Sequence, residues 1–170
     1  MDKQLFWKLI ADAREQGGTN DEACCDALTD KLAELDGPQI ITFDRIWREE
    51  VDDAYFWDLW VGAALLLDGA DGEEFTNFRH WLVGQGEAVY SASVGEPDSM
   101  TQFVGKMAGQ NMTLMFDAAA DAYMDVTGNT IPDPTLPPPL EPLGEPWDGS
   151  DEVAKARLPK LFAATRGAGQ

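Results

Sequence analysis

The chain is short of positive charge, histidine, cysteine and long apolar runs, and each shortage closes off a class of function. It has 12 lysines and arginines against 31 aspartates and glutamates, for a formal net charge of -19. That is far outside the roughly 2–8 charges usual for a small soluble domain. Such a surface repels DNA, RNA and anionic lipid, all of which are negative. Direct nucleic-acid and membrane-surface binding are therefore not expected, and a protein partner should be basic or held through an apolar patch. The single histidine, His80, is the only imidazole base available to a cysteine nucleophile. The two cysteines, Cys24 and Cys25, are adjacent. Neighbouring α-carbons sit about 3.8 Å apart, below the range of roughly 4.4–6.8 Å that a relaxed disulfide prefers. Two reduced thiols on a helix suit a cytoplasmic protein. The start, MDKQLFWKLI, does not read as a signal peptide, and the longest apolar run, Val61 to Leu67, is too short to span a bilayer. No phosphate loop, GxSxG, HExxH, paired CxxC or EF-hand spacing occurs. No catalytic residue, metal site or cofactor is nominated.

What is present is helical and aromatic. A chain of 170 residues fits one domain and can bury roughly 70% of its unfolded surface. Its organising stretch is Ala54 to Tyr90, with Trp57, Trp60, Trp81, Tyr55, Phe56, Phe75, Phe78 and Tyr90. Ala54 to Leu67 is apolar except for Asp58 and reads as a helix covered on most sides. Asp68-Gly69-Ala70-Asp71-Gly72 stops it, and Asp71 is placed to cap the next helix with Glu74 as its capping-box partner. Phe75, Phe78, Leu82, Gly86 and Val89 then recur at helical spacing, and Gly86 suggests the close approach of another helix.

Before this stretch, Asp2 caps a helix to about Gln16, Thr19 or Asn20 opens a second, and Pro38 sits in the first turn of a third. The polar face of the third carries Asp44, Arg45, Arg48, Glu49, Glu50, Asp52 and Asp53 and is read as solvated. After it come a short helix or turn around Met100 and Phe103, and a helix from Asn111 to about Val126. The expected fold is all-α, a compact bundle of about seven helices without a strand. Residues 1–128 form the helical body. Residues 129–150 are an extended wrapping segment with seven prolines between Ile131 and Trp147, packed through Leu136, Leu140, Leu143 and Trp147. Residues 151–170 are a basic terminal helix or tail, shortened or kinked at Pro159, that folds back on the acidic body or docks on a second copy; the oligomeric state is left open.

The pattern Phe6-Trp7, Ala54-Tyr55, Trp57-Asp58-Leu59-Trp60, Phe75-x-x-Phe78-Arg79-x-Trp81-Leu82-x-x-Gln85-Gly86 and Pro97-Asp98-Ser99 resembles a bacterial domain-of-unknown-function family, number 4240 in its series, over roughly Met1 to Gly128. The family usually has Asp-Pro-Asp-Ser-Leu where this chain has Glu96-Pro97-Asp98-Ser99-Met100. The resemblance implies no activity; it marks Asp58, Asp71, Arg79, Gln85 and Asp98 as polar positions to inspect.

Arg79 stands out. It and Lys106 are the only basic side chains between Glu49 and Glu152, and it lies between Phe78 and Trp81 near the core face. Such an arginine needs partners, and Asp58, Asp71 or Asp98 is expected to supply a carboxylate; an anion-holding role in a cleft is the alternative. His80 is expected to point away from the apolar stripe into solvent. Asp117, Asp121 and Asp125 stack at steps of four along one helix flank, a solvated, tail-facing or partner-binding edge rather than a metal site. Two functions stay open. The first is a non-enzymatic acidic protein that engages a basic protein partner, as an immunity protein, inhibitor or nucleic-acid mimic would. The second is a small-molecule-binding or catalytic domain with its pocket near Arg79, Asp58 and Trp60. A concave site with Arg79 exposed and not already satisfied by carboxylates would favour the second.

Overall fold

The computed structural model describes residues 1–134 and 137–167; Leu136 lies outside them. Among the described residues there are nine α-helices, one 3-10 helix and no strand. The all-α expectation holds, with more and shorter helices than expected.

Helices α1 (Lys3–Gly17), α2 (Asp21–Ala33) and α3 (Gly37–Asp53) each start on a side chain that accepts from the helix's own free N–H groups. Asp2 accepts from Leu5, Asn20 from Ala23, and Asp36 from Gln39, whose side chain returns the bond. Helices α4 (Trp57–Leu67), α5 (Gly72–Gly84) and α6 (Glu87–Gly95) cover the aromatic stretch, and Asp71 with Glu74 forms the capping box at the start of α5. A 3-10 helix, η1 (Pro97–Phe103), leads to α7 (Leu114–Thr127), and α8 (Asp151–Arg157) and α9 (Pro159–Arg166) finish the described chain. Helix α2 packs against both α1 and α7, α7 continues onto α3 and α5, and α9 lies on η1 and α4.

Two aromatic groups organise the core around α3 and α4, and a third joins Phe78, Trp81 and Phe103. Phe6, Phe43 and Trp47, all essentially fully buried, join α1 to α3 with ring centroids 4.8–6.2 Å apart. Trp57, Trp60 and Phe75 stack in series at 5.1 and 4.9 Å, with Tyr55 alongside. Burying one large apolar side chain contributes roughly 1.5–3 kcal/mol. The hub is thus shared between α3 and the aromatic stretch rather than confined to the latter.

Several boundaries correct the sequence reading. Tyr55 and Phe56 precede α4 rather than belonging to it, and Phe56 is extended where the backbone pairs with another segment. The helix through Phe75 and Val89 is two helices: Gln85 caps α5, and Gly86, at φ +95°, turns the chain into α6. Gly86 is there for its backbone conformation, since a Cβ on it would meet nothing within 4 Å. Gly84 is the glycine there that faces packed neighbours, and a Cβ on it would make ordinary van der Waals contact with Met115 and Trp47 at 3.5–3.6 Å. The helix after Asn111 begins only at Leu114.

The proline-rich segment is fastened by backbone rather than by its leucines. Leu143 accepts from Trp57 N at 2.9 Å and donates to Tyr55 O at 3.0 Å, an isolated parallel bridge at Phe56. Its side chain is 73% exposed and that of Leu140 is 95% exposed, so packing through these two leucines is not observed; Trp147 does pack on the core. Arg157 clips the segment down, donating to the Glu145 and Pro146 carbonyls at 2.7 and 3.0 Å and to Asp58 Oδ1 at 3.2 Å. The terminal helices dock on their own chain. Leu158 and Leu161 bury against α4 at Gly62, and Lys160 and Arg166 pair with Glu96 and Asp68.

Gly17 lets α1 and α2 approach: a Cβ there would sit 2.4 Å from Cys24 N and 2.6 Å from Cys24 Sγ. Backbone cannot yield as a flexible side chain can, so Gly17→Ala is expected to cost about 1–3 kcal/mol. Gly95→Ala, which meets nothing within 4 Å, should be neutral or slightly stabilising. Urea denaturation of both variants checks this; equal midpoints would show that the crossing at Gly17 is not tight.

Candidate functional site

Two helix faces and one loop make a cleft. On α3, Arg48, Val51 and Asp52 fall at steps of three and one, and on α5 Thr76, Arg79 and His80 repeat that spacing, so each trio shares a face. The two faces line a cavity of about 460 Å³ with Tyr55 at the α3–α4 junction, and Asp133, Pro134, Pro138 and Pro139 of the proline-rich segment complete the lining. The volume is within the roughly 300–1,000 Å³ of ordinary ligand sites.

Arg79 lines the cavity but is only 6% exposed, so of the two conditions set for a ligand site the absence of a paired carboxylate is met and the exposure is not. Its Nη1 donates to the Val51 carbonyl at 2.7 Å and its Nη2 to Thr76 Oγ1 at 3.0 Å. The guanidinium lies over the rings of Tyr55 and Phe75, 4.5 and 5.0 Å from their centroids, a face-on placement that favours a desolvated cation. No carboxylate forms an ion pair with it among the described residues, and its buried Nε has no acceptor there. Burial lowers its pKa while Asp52, at longer range, raises it; the group remains protonated.

The expected ion pair is therefore corrected, and each proposed partner is engaged elsewhere. Asp58 binds Arg157, Asp71 caps α5, and Asp98 accepts from Leu161 N at 2.8 Å. Trp60 lies outside the cleft lining, stacked between Trp57 and Phe75, with Nε1 donating to the Ala70 carbonyl at 2.9 Å. Gln85 is at a different surface beside α1; with its side-chain oxygen turned to the donors it faces, it accepts from Arg14 Nη2 at 2.8 Å and Trp81 Nε1 at 3.1 Å. Of the six nominated residues, only Arg79 lines the cleft.

His80 also departs from expectation. It is half-buried, its ring is 4.2 Å from Phe116, and its Nδ1 accepts from Trp47 Nε1 at 3.1 Å. Burial, then the charges of Arg79 and Arg48, lower its pKa to about 4. Near neutral pH the ring is uncharged, and with Nδ1 accepting, its proton is on Nε2.

Arg48 and Asp52 were missed because the polar face of α3 read as solvated. In fact Asp44 and Glu50 are buried. Arg48 Nε donates to Asp44 Oδ2 at 2.9 Å, and its guanidinium lies 4.9 Å from the Phe116 ring centroid. Asp52 is half-buried; burial raises its pKa against the attraction of Arg79 and Arg48. The signal that was available was the matching spacing of 48, 51, 52 and 76, 79, 80. Asp133 could not be found this way, since only the fold brings the proline-rich segment to the helices. The Asp117, Asp121 and Asp125 carboxylates stand on an exposed edge of α7 with no ion pair among the described residues. The basic tail reaches Asp58, Glu96 and Asp68 instead.

These features define a helical domain with a charged cleft between two helices and a proline-rich flank. The chain belongs to the family described as "Protein of unknown function (DUF4240)", whose profile matches residues 1–125. No curated protein and no solved structure matches it. The match ends before the proline-rich wall of the cleft, so Arg48, Asp52, Arg79 and His80 lie inside it and Asp133 outside.

The state of His80 is testable through stability. Its folded pKa of about 4 lies below the unfolded value of about 6.5, so between these pH values the unfolded chain binds more protons. The stability carried by neutral His80 is complete above about pH 6.5 and is lost as pH falls toward 4. The loss is about 3 kcal/mol at most, at ~1.4 kcal/mol for each pH unit between the unfolded and folded values. In His80→Asn the side-chain oxygen still accepts from Trp47 but does not titrate. Urea unfolding of both proteins from pH 7.5 to 4.5 should show the wild type losing ground to the variant; a constant difference would contradict a depressed His80.

Proposed function

We propose that this protein binds a small molecule bearing a carboxylate in the α3–α5 cleft, with Arg79 as the anchoring cation. One observation carries the reading. Arg79 is almost wholly buried at the wall of a cavity, yet no carboxylate neutralises it among the described residues. A buried charge is ordinarily paired, because leaving it unpaired costs several kcal/mol. Here its solvation is partial. Two of the five N–H groups of a guanidinium have acceptors, a backbone carbonyl and a hydroxyl, and two aromatic rings attract its face. An incoming carboxylate would take up remaining donors in a geometry that a guanidinium fits better than an ammonium. The neutral His80 and the phenol ring of Tyr55 at the same cavity add polar and apolar contact.

A second reading rests on the exterior. Asp117, Asp121 and Asp125 form an exposed acidic edge on α7, and the net charge is -19. These support engagement of a basic protein partner through long-range attraction. A salt-sensitive association lost in the Asp117→Asn, Asp121→Asn, Asp125→Asn triple variant would carry this reading; equal recovery by both proteins would count against it.

The cleft reading is tested by titrating 3-phenylpropionate into the full chain and into Arg79→Lys, with heat of binding as the readout and circular dichroism confirming helix content. A bidentate, charge-assisted contact contributes roughly 1.5–3 kcal/mol. Arg79→Lys is therefore expected to weaken binding about tenfold or more while the fold is kept. Equal binding by the two proteins would remove Arg79 from the site.

A further inference from the structure

Besides its cations, the cleft has two carboxylates without partners. Among the described residues, the side chains of Asp52 and Asp133 make neither a hydrogen bond nor an ion pair, although both line the cavity with Arg79. Arg48 is already neutralised by Asp44. Among the described residues the cavity therefore presents one guanidinium and two carboxylates that make no direct ion pair, Asp52 and Arg79 attracting each other only at longer range, together with apolar surface from Tyr55, Pro138 and Pro139.

We propose, resting on the carboxylate-binding reading above, that the ligand is a zwitterion of the α-amino-acid type with an apolar side chain. Its carboxylate sits at Arg79, its ammonium at Asp52 and Asp133, and its side chain against Tyr55 and the prolines. The alternatives fit the charges less well. A simple anion would gain Arg79 but would meet both aspartates at close range, and the -19 exterior would oppose its approach. A simple amine would gain the aspartates but be repelled by Arg79, which is fixed in place by Val51 and Thr76. A zwitterion has no net charge for the exterior to repel and meets an opposite charge at each end. His80 strengthens the carboxylate end: the Trp47 bond to Nδ1 leaves Nε2–H as a neutral donor. Burial raises the Asp52 pKa, the condition of a carboxylate whose charged form would be stabilised by an added cation.

The test uses three molecules that share one ring: L-phenylalanine, 3-phenylpropionate and phenethylamine. Each is titrated by calorimetry into the full chain, Arg79→Lys, and the double variant Asp52→Asn, Asp133→Asn. The zwitterion is expected to bind about tenfold more tightly than either singly charged molecule, one charge-assisted contact being of that order. The double variant should erase the advantage over 3-phenylpropionate without weakening 3-phenylpropionate itself. If 3-phenylpropionate binds the wild type as tightly as L-phenylalanine and loses affinity in Arg79→Lys, the zwitterion is overturned while the carboxylate site stands. If the double variant keeps the preference for L-phenylalanine, the assignment of the ammonium to Asp52 and Asp133 is overturned. If none of the three binds, or phenethylamine binds best, the carboxylate site and the zwitterion fall together.

Discussion

Two hydrogen bonds between neighbouring helices set the character of this molecule. Arg79 donates to the carbonyl of Val51, and the indole of Trp47 donates to the next residue, His80. Both tie α5 to α3, so the charge of one side chain and the tautomer of the other are fixed by the same contact that assembles the core. Trp47 is also where Phe6 and Phe43 converge. The aromatic packing of α1 on α3 thereby positions the groove that Arg79 and His80 line. Because the interior is close-packed, neither side chain can leave its place without disturbing large rings, and the polar chemistry is preorganised.

Much of the fold was legible because its signals are local. Asp2, Asn20 and Asp71 cap helices through side-chain oxygens three residues from the N–H groups they satisfy, and capping chemistry can be read over that distance. Helix ends governed by backbone conformation were harder to see. Gly86 breaks what looks like one continuous apolar stripe, since the residues on either side keep helical spacing across a turn that only its positive φ allows. The proline-rich segment was legible as extended, but what fastens it was not. Dense proline removes N–H donors; Leu143 is one of the residues there that retains one, and its backbone, rather than its side chain, makes the bridge. A leucine in a linear sequence advertises apolar surface and says nothing of its amide.

The cleft was legible only in part, for a related reason. Arg79 was singled out as a cation among aromatics, and it is one. The expectation that a carboxylate must neutralise it followed from the cost of burying charge, yet carbonyl, hydroxyl and ring faces share the task. Such partners are invisible in sequence, because every residue carries a carbonyl and aromatics are common in any core. On α3 the opposite error arose. A run of charges reads as a solvated face, but Arg48 screens Asp44 from within the run, and the pair can approach the interior together.

The C-terminal helices engage two of the carboxylates that sequence reasoning offered to Arg79. Of the three carboxylates expected from the sequence to pair with Arg79, Asp58 binds Arg157, 99 positions away, and Asp98 the backbone of Leu161, 63 away. The third, Asp71, satisfies N–H groups at the start of α5 itself. Each is already oriented by another partner, so turning toward Arg79 would cost the bond it has. The tail also spends its cations on α4, η1 and the turn after α4, leaving the cleft side of the molecule without added positive charge. The same distribution leaves Arg79 without a carboxylate in direct contact, and Asp52 and Asp133 without an ion-pair partner among the described residues. The carboxylate that does act on Arg79, at longer range, is Asp52 on the facing helix, so the charges of the cleft are set by α3, α5 and the proline-rich segment, while the basic terminus docks elsewhere.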